Sequence, residues 1–223
     1  RDRRVQEYYL QAGSDYHISF PQIHLYTLGH QCYYRSRLDT LEGQTCLESI
    51  KQGVIAASEM GVPSVIIDGM RMNNAAKRQH IFQVAQYAVR IGEEYGIQIG
   101  METDMSMEDH ISFLDALDGK LKLCFDAHNP VMYGTGYPPD MIRTLGKDRI
   151  DHFHVKESQA NEDGFLSVET PIVLLGEGCT FFRESAQAVK DIGYEGWIVS
   201  ENFYFRPNIL AKGYDYVSAA KRD

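Results

Sequence analysis

Apolar residues along this chain follow two patterns that alternate. Short runs such as Val62–Asp68, Ile97–Glu102 and Leu121–Asp126 are dense in Val, Ile and Leu, as strands buried on both faces are. Between them lie longer stretches with apolar residues every three or four positions, the period of an amphipathic helix: Thr45–Met60, Asn74–Tyr95, Ser106–Leu117 and Thr180–Ile192. The ends of these stretches carry the expected stops and starts. Gly61 and Gly96 follow two of the helices, where glycine takes the left-handed conformation without strain. Ser106 can cap the third, with Glu108 and Asp109 favourably placed against the dipole of its first turn. Pro138-Pro139 opens a further short helix.

The remaining stretches extend this alternation. Arg4–Gln11 reads as the tail of a helix and Gln22–Thr27 as a strand, followed by a long loop, Leu28–Gly43, carrying Tyr33, Tyr34 and Arg35. Ile150–Val155, Ile172–Leu175 and Trp197–Glu201 are the last strands. No repeat, low-complexity tract or linker interrupts the pattern, so residues 1–223 are expected to form a single domain.

Repeated strand-then-helix units leave a doubly wound open sheet or a closed (β/α)₈ barrel as the architectures to weigh. An open dinucleotide-binding sheet would carry a GxGxxG turn after a strand, and the chain has none. An α/β fold of the (β/α)₈ TIM barrel type is therefore expected. Counting gives seven strands, with Arg4–Gln11 as the helix that would follow a first strand, so the first barrel strand is expected to be missing from the chain, which also stops early in a closing helix.

Charge narrows the function classes. Lys+Arg number 22 against 31 Asp+Glu, a formal net charge of −9, and no basic run tracks phosphates. Neither nucleic acid nor an anionic membrane is an expected partner. The four cysteines, Cys32, Cys46, Cys124 and Cys179, form no CxxC and read as reduced thiols of a cytoplasmic protein. No window approaches the length of apolar chain that spans a membrane.

A barrel builds its active site from the C-terminal ends of its strands. At those ends stand Asp68, Glu102, Asp126, His154 with Lys156, and Glu201. Strand alternation sets His152, His154 and Lys156 on one face of Ile150–Glu157 and Asp151, Phe153 and Val155 on the other. Taken alone, that segment fits two satisfied core histidines and a solvated lysine as well as it fits a site. Glu102 to Asp126 is 24 positions, Asp126 to His154 is 28 and His154 to Glu201 is 47: one unit, one unit, then two, with Ile172–Leu175 as the intervening strand. Three carboxylates and one imidazole converging on a rim repel unless a cation sits among them. An oxygen-rich set with one nitrogen favours Mn²⁺ or Mg²⁺, with Co²⁺ also suited, over a sulfur-bearing zinc site. His154, nearer the strand end, is the expected ligand, and His152 is assigned to the layer beneath.

Several motifs then resemble the sugar-phosphate isomerase/epimerase superfamily with a xylose isomerase-like barrel. They are Gly100-Met101-Glu102, Phe125-Asp126-Ala127-His128-Asn129, His152-Phe153-His154-Val155-Lys156, Leu175-Gly176-Glu177-Gly178, and Gly193-Tyr194-Glu195-Gly196-Trp197 leading to Glu201-Asn202. The resemblance runs from about Thr45 to Tyr204. It implies metal ligation by Glu102, Asp126, His154 and Glu201, with Mn²⁺ first and Mg²⁺, Co²⁺ or Zn²⁺ as substitutes. It implies that Glu102 and Glu201 are the catalytic acid/base pair, and that His128, Asn129 and Lys156 contact substrate. The epimerase-type arginine a few residues beyond the metal histidine is absent, because Glu157-Ser158-Gln159-Ala160 follows Lys156. That departure weakens a free-ketohexose 3-epimerase assignment in particular.

The function this implies is a metal-dependent isomerase or epimerase of a ketose or ketose phosphate. One glutamate removes a proton beside a carbonyl and the other returns it through an enediolate. An inosose-type dehydratase on the same metal site is the alternative, distinguished by a product lighter by one water. An endonuclease-IV-like phosphodiesterase would need a histidine-rich zinc site, and His17, His24, His30, His80 and His110 fall off the ligand rhythm. A non-catalytic sugar-binding barrel is the remaining option. The expected partners are a small sugar or sugar phosphate and further copies of the chain in a dimer or tetramer. Tyr33, Tyr34 and Arg35 are read as a lid or an oligomer contact, Glu177 as a loop-shaping residue, and Asp68 as a substrate contact or a loop cap.

Overall fold

The computed structural model describes residues 2–28, 36–70, 75–161, 164, 166 and 170–223. In chain order the elements are α1 (Arg3–Tyr16), β1 (Gln22–His24), α2 (Tyr26–Leu28), α3 (Leu41–Met60), β2 (Ser64–Gly69), α4 (Ala75–Tyr95), β3 (Gln98–Thr103), α5 (Met107–Asp115) and β4 (Leu121–Asp126). Then follow α6 (Asn129–Tyr133), α7 (Pro138–Leu145), β5 (Ile150–Val155), β6 (Glu157–Ser158), β7 (Ile172–Val173), α8 (Phe182–Asp191), β8 (Trp197–Ser200), α9 (Pro207–Leu210) and α10 (Tyr216–Arg222). Two compact units divide the chain: Arg1–Thr103 with Ile111–Cys124, and Asp104–His110 with Phe125–Asp223.

In the first unit β1, β2, β3 and the start of β4 are neighbours in a parallel sheet. Every residue of β2 is buried, which explains its unbroken Ser-Val-Ile-Ile-Asp-Gly run, since a parallel strand is covered on both faces. Ile50, Val54 and Ala57 of α3 and Ile81, Val84, Ala85 and Ala88 of α4 are buried with Val65, Ile66, Ile67, Ile99 and Met101 of the strands. Thr40 caps α3 by accepting a hydrogen bond from the Gly43 N–H, and Gly61 ends it at φ 67°. Side chains are absent at Gly92 for a reason: a Cβ there would lie 2.6 Å from the Ile97 carbonyl oxygen, so α4 can close onto β3 only with glycine.

In the second unit the end of β4 leads into β5, whose backbone accepts at His154 from the Ala127 N–H, 3.4 Å. β5 pairs directly with β8 in parallel, His154 opposite Val199 and Val155 opposite Ser200. This corrects the expected intervening strand. Ile172–Val173 instead pairs antiparallel with Glu157–Ser158, and Leu174 next to it is buried with Ile172, Ile209 and Ala219 in a separate cluster. A four-residue apolar run carries too little periodicity to separate a sheet member from a short hairpin strand. α7 and α8 are joined at the surface by Arg143, whose Nε and Nη2 donate to Asp191 Oδ2 at 3.0 and 2.9 Å. Phe153 packs edge-on against Phe125 and Tyr194, with centroids 5.9 and 4.8 Å away, and so faces away from the neighbouring histidines as the strand period requires.

Candidate active site

The C-terminal ends of β4, β5 and β8 bring four of the anticipated residues together within the second unit. Asp126 ends β4, and its Oδ1 accepts the His128 backbone N–H at 2.9 Å. His154 lies in β5, 1% exposed, with Nδ1 3.3 Å from Glu201 Oε1. Lys156, the residue after β5, reaches both carboxylates: its Nζ is 2.6 Å from Asp126 Oδ2 and 2.9 Å from Glu201 Oε2. Glu201 follows β8, where its own N–H donates to the Val155 carbonyl at 2.9 Å and extends the β5–β8 ladder by one rung.

This grouping follows from local rules. Parallel pairing of β5 with β8 in the observed register sets Val155 against Ser200, so Lys156 and Glu201 leave their strands side by side. Alternation along β5 puts His154 and Lys156 on the same face. Asp126 arrives from the neighbouring strand end.

Electrostatics at the site are dominated by the one ammonium between two carboxylates. Burial pushes the Glu201 carboxyl upward, but the hydrogen bond with His154 and the charge of Lys156 outweigh it and hold the group well below the usual carboxylate range. His128 is fully buried and its imidazole is pushed down to about 4, first by burial and second by the Lys156 charge, with Glu201 acting the other way. The neutral ring of His128 shares a 2.6 Å hydrogen bond between Nε2 and the Ser158 hydroxyl. Asn129, buried at 3% exposure, begins α6 directly after it.

His152 lies two residues below His154 on β5, buried, with Nδ1 2.6 Å from Asp151 Oδ2. Its nearest partner is thus its chain neighbour rather than a proposed metal ligand. Glu177 is held by two cations: Lys212 Nζ and Arg222 Nη2 donate to its two oxygens at 2.5 and 2.9 Å, and the Lys212 bond first of all lowers its pKa. It fastens the turn after α9, and α10, to the loop that precedes α8.

Asp68 and Glu102 belong to the first unit. They stand opposite each other at the C-terminal ends of β2 and β3, 4% and 7% exposed, on the side of the sheet where the sequence anticipated them. Tyr33, Tyr34 and Arg35, and with them His30 and Cys32, lie outside the described residues.

Asp126, His154 and Glu201 carry the donor types that a divalent cation takes. Two carboxylates and an imidazole, buried or nearly so, present mixed oxygen and nitrogen donors of the kind that Mn²⁺, Mg²⁺ and Zn²⁺ accept. Their negative charge is already drawn to a positive centre, the Lys156 ammonium.

Glu157, Asn202 and Asp223, to which the motifs assign no role, form a hydrogen-bonded support beside this group. Glu157 donates its backbone N–H to Asn202 Oδ1 at 3.1 Å, and Asn202 Nδ2 donates to Asp223 Oδ2 at 2.7 Å. Glu157 and Asn202 are 2% and 7% exposed.

Comparison with known proteins places the chain. A family model described as a xylose isomerase-like TIM barrel matches residues 11–220. Inosose dehydratase of Klebsiella pneumoniae subsp. pneumoniae is 26% identical over 153 residues, 60% of this chain and 49% of that protein. The chain spans about half the length of the curated relatives it matches. Among solved structures, the IOLI protein with a bound zinc atom superposes with a TM-score of 0.69 at 17% identity, covering 86% of this chain and 72% of that one. The 3-keto-D-glucoside 4-epimerase YcjR of E. coli gives 0.72 at 12% identity, with 98% and 84% covered. At these identities the two structures show a shared fold.

Proposed function

The chain belongs to the xylose isomerase-like TIM barrel family, and from that premise we propose a divalent-metal-dependent isomerase or epimerase that moves a proton beside the carbonyl of a ketose or ketose phosphate. The observation that carries this reading is the chain of contacts Asp126–Lys156–Glu201–His154, in which the ammonium lies 2.6 and 2.9 Å from the two carboxylates and the imidazole 3.3 Å from the second. Asp126, His154 and Glu201 would hold the cation, and Glu102 completes the set on the strength of the sequence motif. When bound, the cation supplies Lewis-acid polarisation of the carbonyl and stabilises the negative charge that develops during enolisation.

The chain's own groups do the rest. Glu201 and Glu102 are the proposed acid/base pair, one taking the proton and the other returning it. Return to the opposite face of the same carbon epimerises; return to the adjacent carbon isomerises. Lys156, His128 and Asn129 are proposed to hold substrate hydroxyls. With Nε2 bonded to Ser158, the neutral His128 ring keeps Nδ1 for a substrate hydroxyl. Mn²⁺ is the proposed metal, with Mg²⁺, Co²⁺ and Zn²⁺ as substitutes, the last in keeping with the zinc of the IOLI structure. Action on small sugars in the cytoplasm, as a homo-oligomer, belongs to the same proposal.

Glu201→Gln and Glu102→Gln are each expected to lower turnover by at least about 100-fold, the scale of a lost general acid or base, while far-UV circular dichroism stays unchanged. Near-normal turnover in either variant removes that residue from the chemistry. The second reading, an inosose-type dehydratase, is favoured by the Klebsiella relative. It expels a β-hydroxyl after the same enolisation, and the mass of the product separates the two.

A further inference from the structure

Lys156 and Glu201 are each followed by a buried polar residue, and these two residues are bonded to each other. Asn202 Oδ1 accepts the Glu157 N–H at 3.1 Å. Asn202 Nδ2 donates to Asp223 Oδ2 at 2.7 Å, and Asp223 Oδ1 accepts the Leu175 N–H at 3.0 Å. The Glu157 carboxylate closes the circuit by accepting the Gly176 N–H at 2.5 Å through Oε2. Gly178 lets the loop lie this close, since a Cβ there would stand 2.5 Å from both Glu157 Cγ and the Ser158 carbonyl oxygen.

We infer that Asn202 is a positioning residue for the metal centre: by joining the segment after β5, the segment after β8 and Asp223, it fixes where Glu201 and Lys156 stand. This rests on the reading of Asp126, His154 and Glu201 as metal ligands. The circuit carries four hydrogen bonds, and all of its members lie in one compact unit.

The energetics favour this role over general packing. Glu201 begins where β8 ends, so beyond its single backbone bond to Val155 the ladder gives no further restraint. The Asn202 side chain supplies the next link across, to Glu157, in place of a backbone rung. A ligand carboxylate has to be held to within about 0.5 Å to bind metal well, and residues bonded behind the ligands provide that precision. The Glu201 carboxylate is already divided between two partners, Oε1 toward His154 and Oε2 toward Lys156. A shift of the 201–202 backbone would disturb both.

Calorimetric titration of the protein with Mn²⁺ alone tests the inference, accompanied by electron paramagnetic resonance of the bound ion. Asn202→Ala is expected to weaken Mn²⁺ binding by about 10-fold or more and to broaden the spectrum of the bound ion. Ile209→Val, which trims a buried residue elsewhere in the same unit, is expected to lower the melting temperature while leaving Mn²⁺ affinity unchanged. Should Asn202→Ala fail to fold, the exchange N202D/D223N keeps one amide and one carboxylate between the two positions. It is expected to bind Mn²⁺ like the unaltered protein, and N202D alone, with two facing carboxylates, is expected to have an altered affinity. Unchanged affinity and spectrum in Asn202→Ala, or an equal loss in Ile209→Val, overturns the positioning role while leaving the metal centre standing. If the unaltered protein binds no Mn²⁺, the metal centre itself falls and this inference with it.

Discussion

Lys156 is the residue on which the site's charge balance turns. Its ammonium lies 2.6 Å from Asp126 Oδ2 and 2.9 Å from Glu201 Oε2, and its side chain is only 15% exposed. Removing one partner of a buried ion pair leaves the other uncompensated and costs about 3–5 kcal/mol. Lys156→Met is therefore expected to lower the urea-unfolding free energy by about 3 kcal/mol without added metal. Mn²⁺ should raise its melting temperature by more than it raises that of the unaltered protein, because the cation then neutralises the same two carboxylates. Equal stability of the two proteins would show that the ion pairs contribute nothing. Asp126, His154, Lys156 and Glu201 were all legible in the sequence, since each sits at a strand end in the right phase. The circuit behind them was not: Glu157 and Asn202 are 45 positions apart and Asn202 and Asp223 are 21, and no periodicity links side chains across such gaps.

Among the elements of the first unit, β2, β3 and α4 lie within two residues of their expected limits, whereas α1 runs on to Tyr16, β1 ends at His24 with Tyr26–Leu28 helical, and α3 begins at Leu41 rather than Thr45. β4 and β5 occupy Leu121–Asp126 and Ile150–Val155 as read from the pattern. Ile172–Leu175 did not behave as a sheet strand, and the observed β5–β8 pairing depends on long-range contacts that a short apolar run does not encode. α5 held a further point that its pattern hid. Ser106 caps it through a 3.2 Å bond from the Asp109 N–H, as expected, but His110 on the same helix is 3% exposed and lies near the Phe125 ring. Burial pushes the His110 imidazole down to about 4, with Asp109 opposing weakly. Its folded-state value is thus below the unfolded one, so the unfolded chain takes up the proton first as the solution is acidified. The stability it supports is present above about pH 6.5 and is lost as pH falls toward 4. Between pH 7 and pH 5 this is about 2 kcal/mol. Urea unfolding at the two pH values should show that loss, and His110→Leu should show a smaller one; identical pH dependence in both would place the effect elsewhere.

For the whole molecule, the alternation of β and α units and the family match agree on a xylose isomerase-like TIM barrel. The family was legible because its motifs lie at strand ends, where chemistry and fold are specified by the same few residues. No helix among the described residues is long and apolar enough to cross a membrane. Metal-assisted proton transfer beside a carbonyl is tested by incubating the Mn²⁺-loaded protein with a panel of ketoses and ketose phosphates in D₂O. Nuclear magnetic resonance and mass spectrometry would then read each sugar. At least one sugar is expected to take up deuterium at the carbon next to its carbonyl without losing water, and chelation or Glu201→Gln is expected to stop the uptake. A product lighter by one water, or no deuterium in any sugar while Mn²⁺ is demonstrably bound, would contradict that expectation.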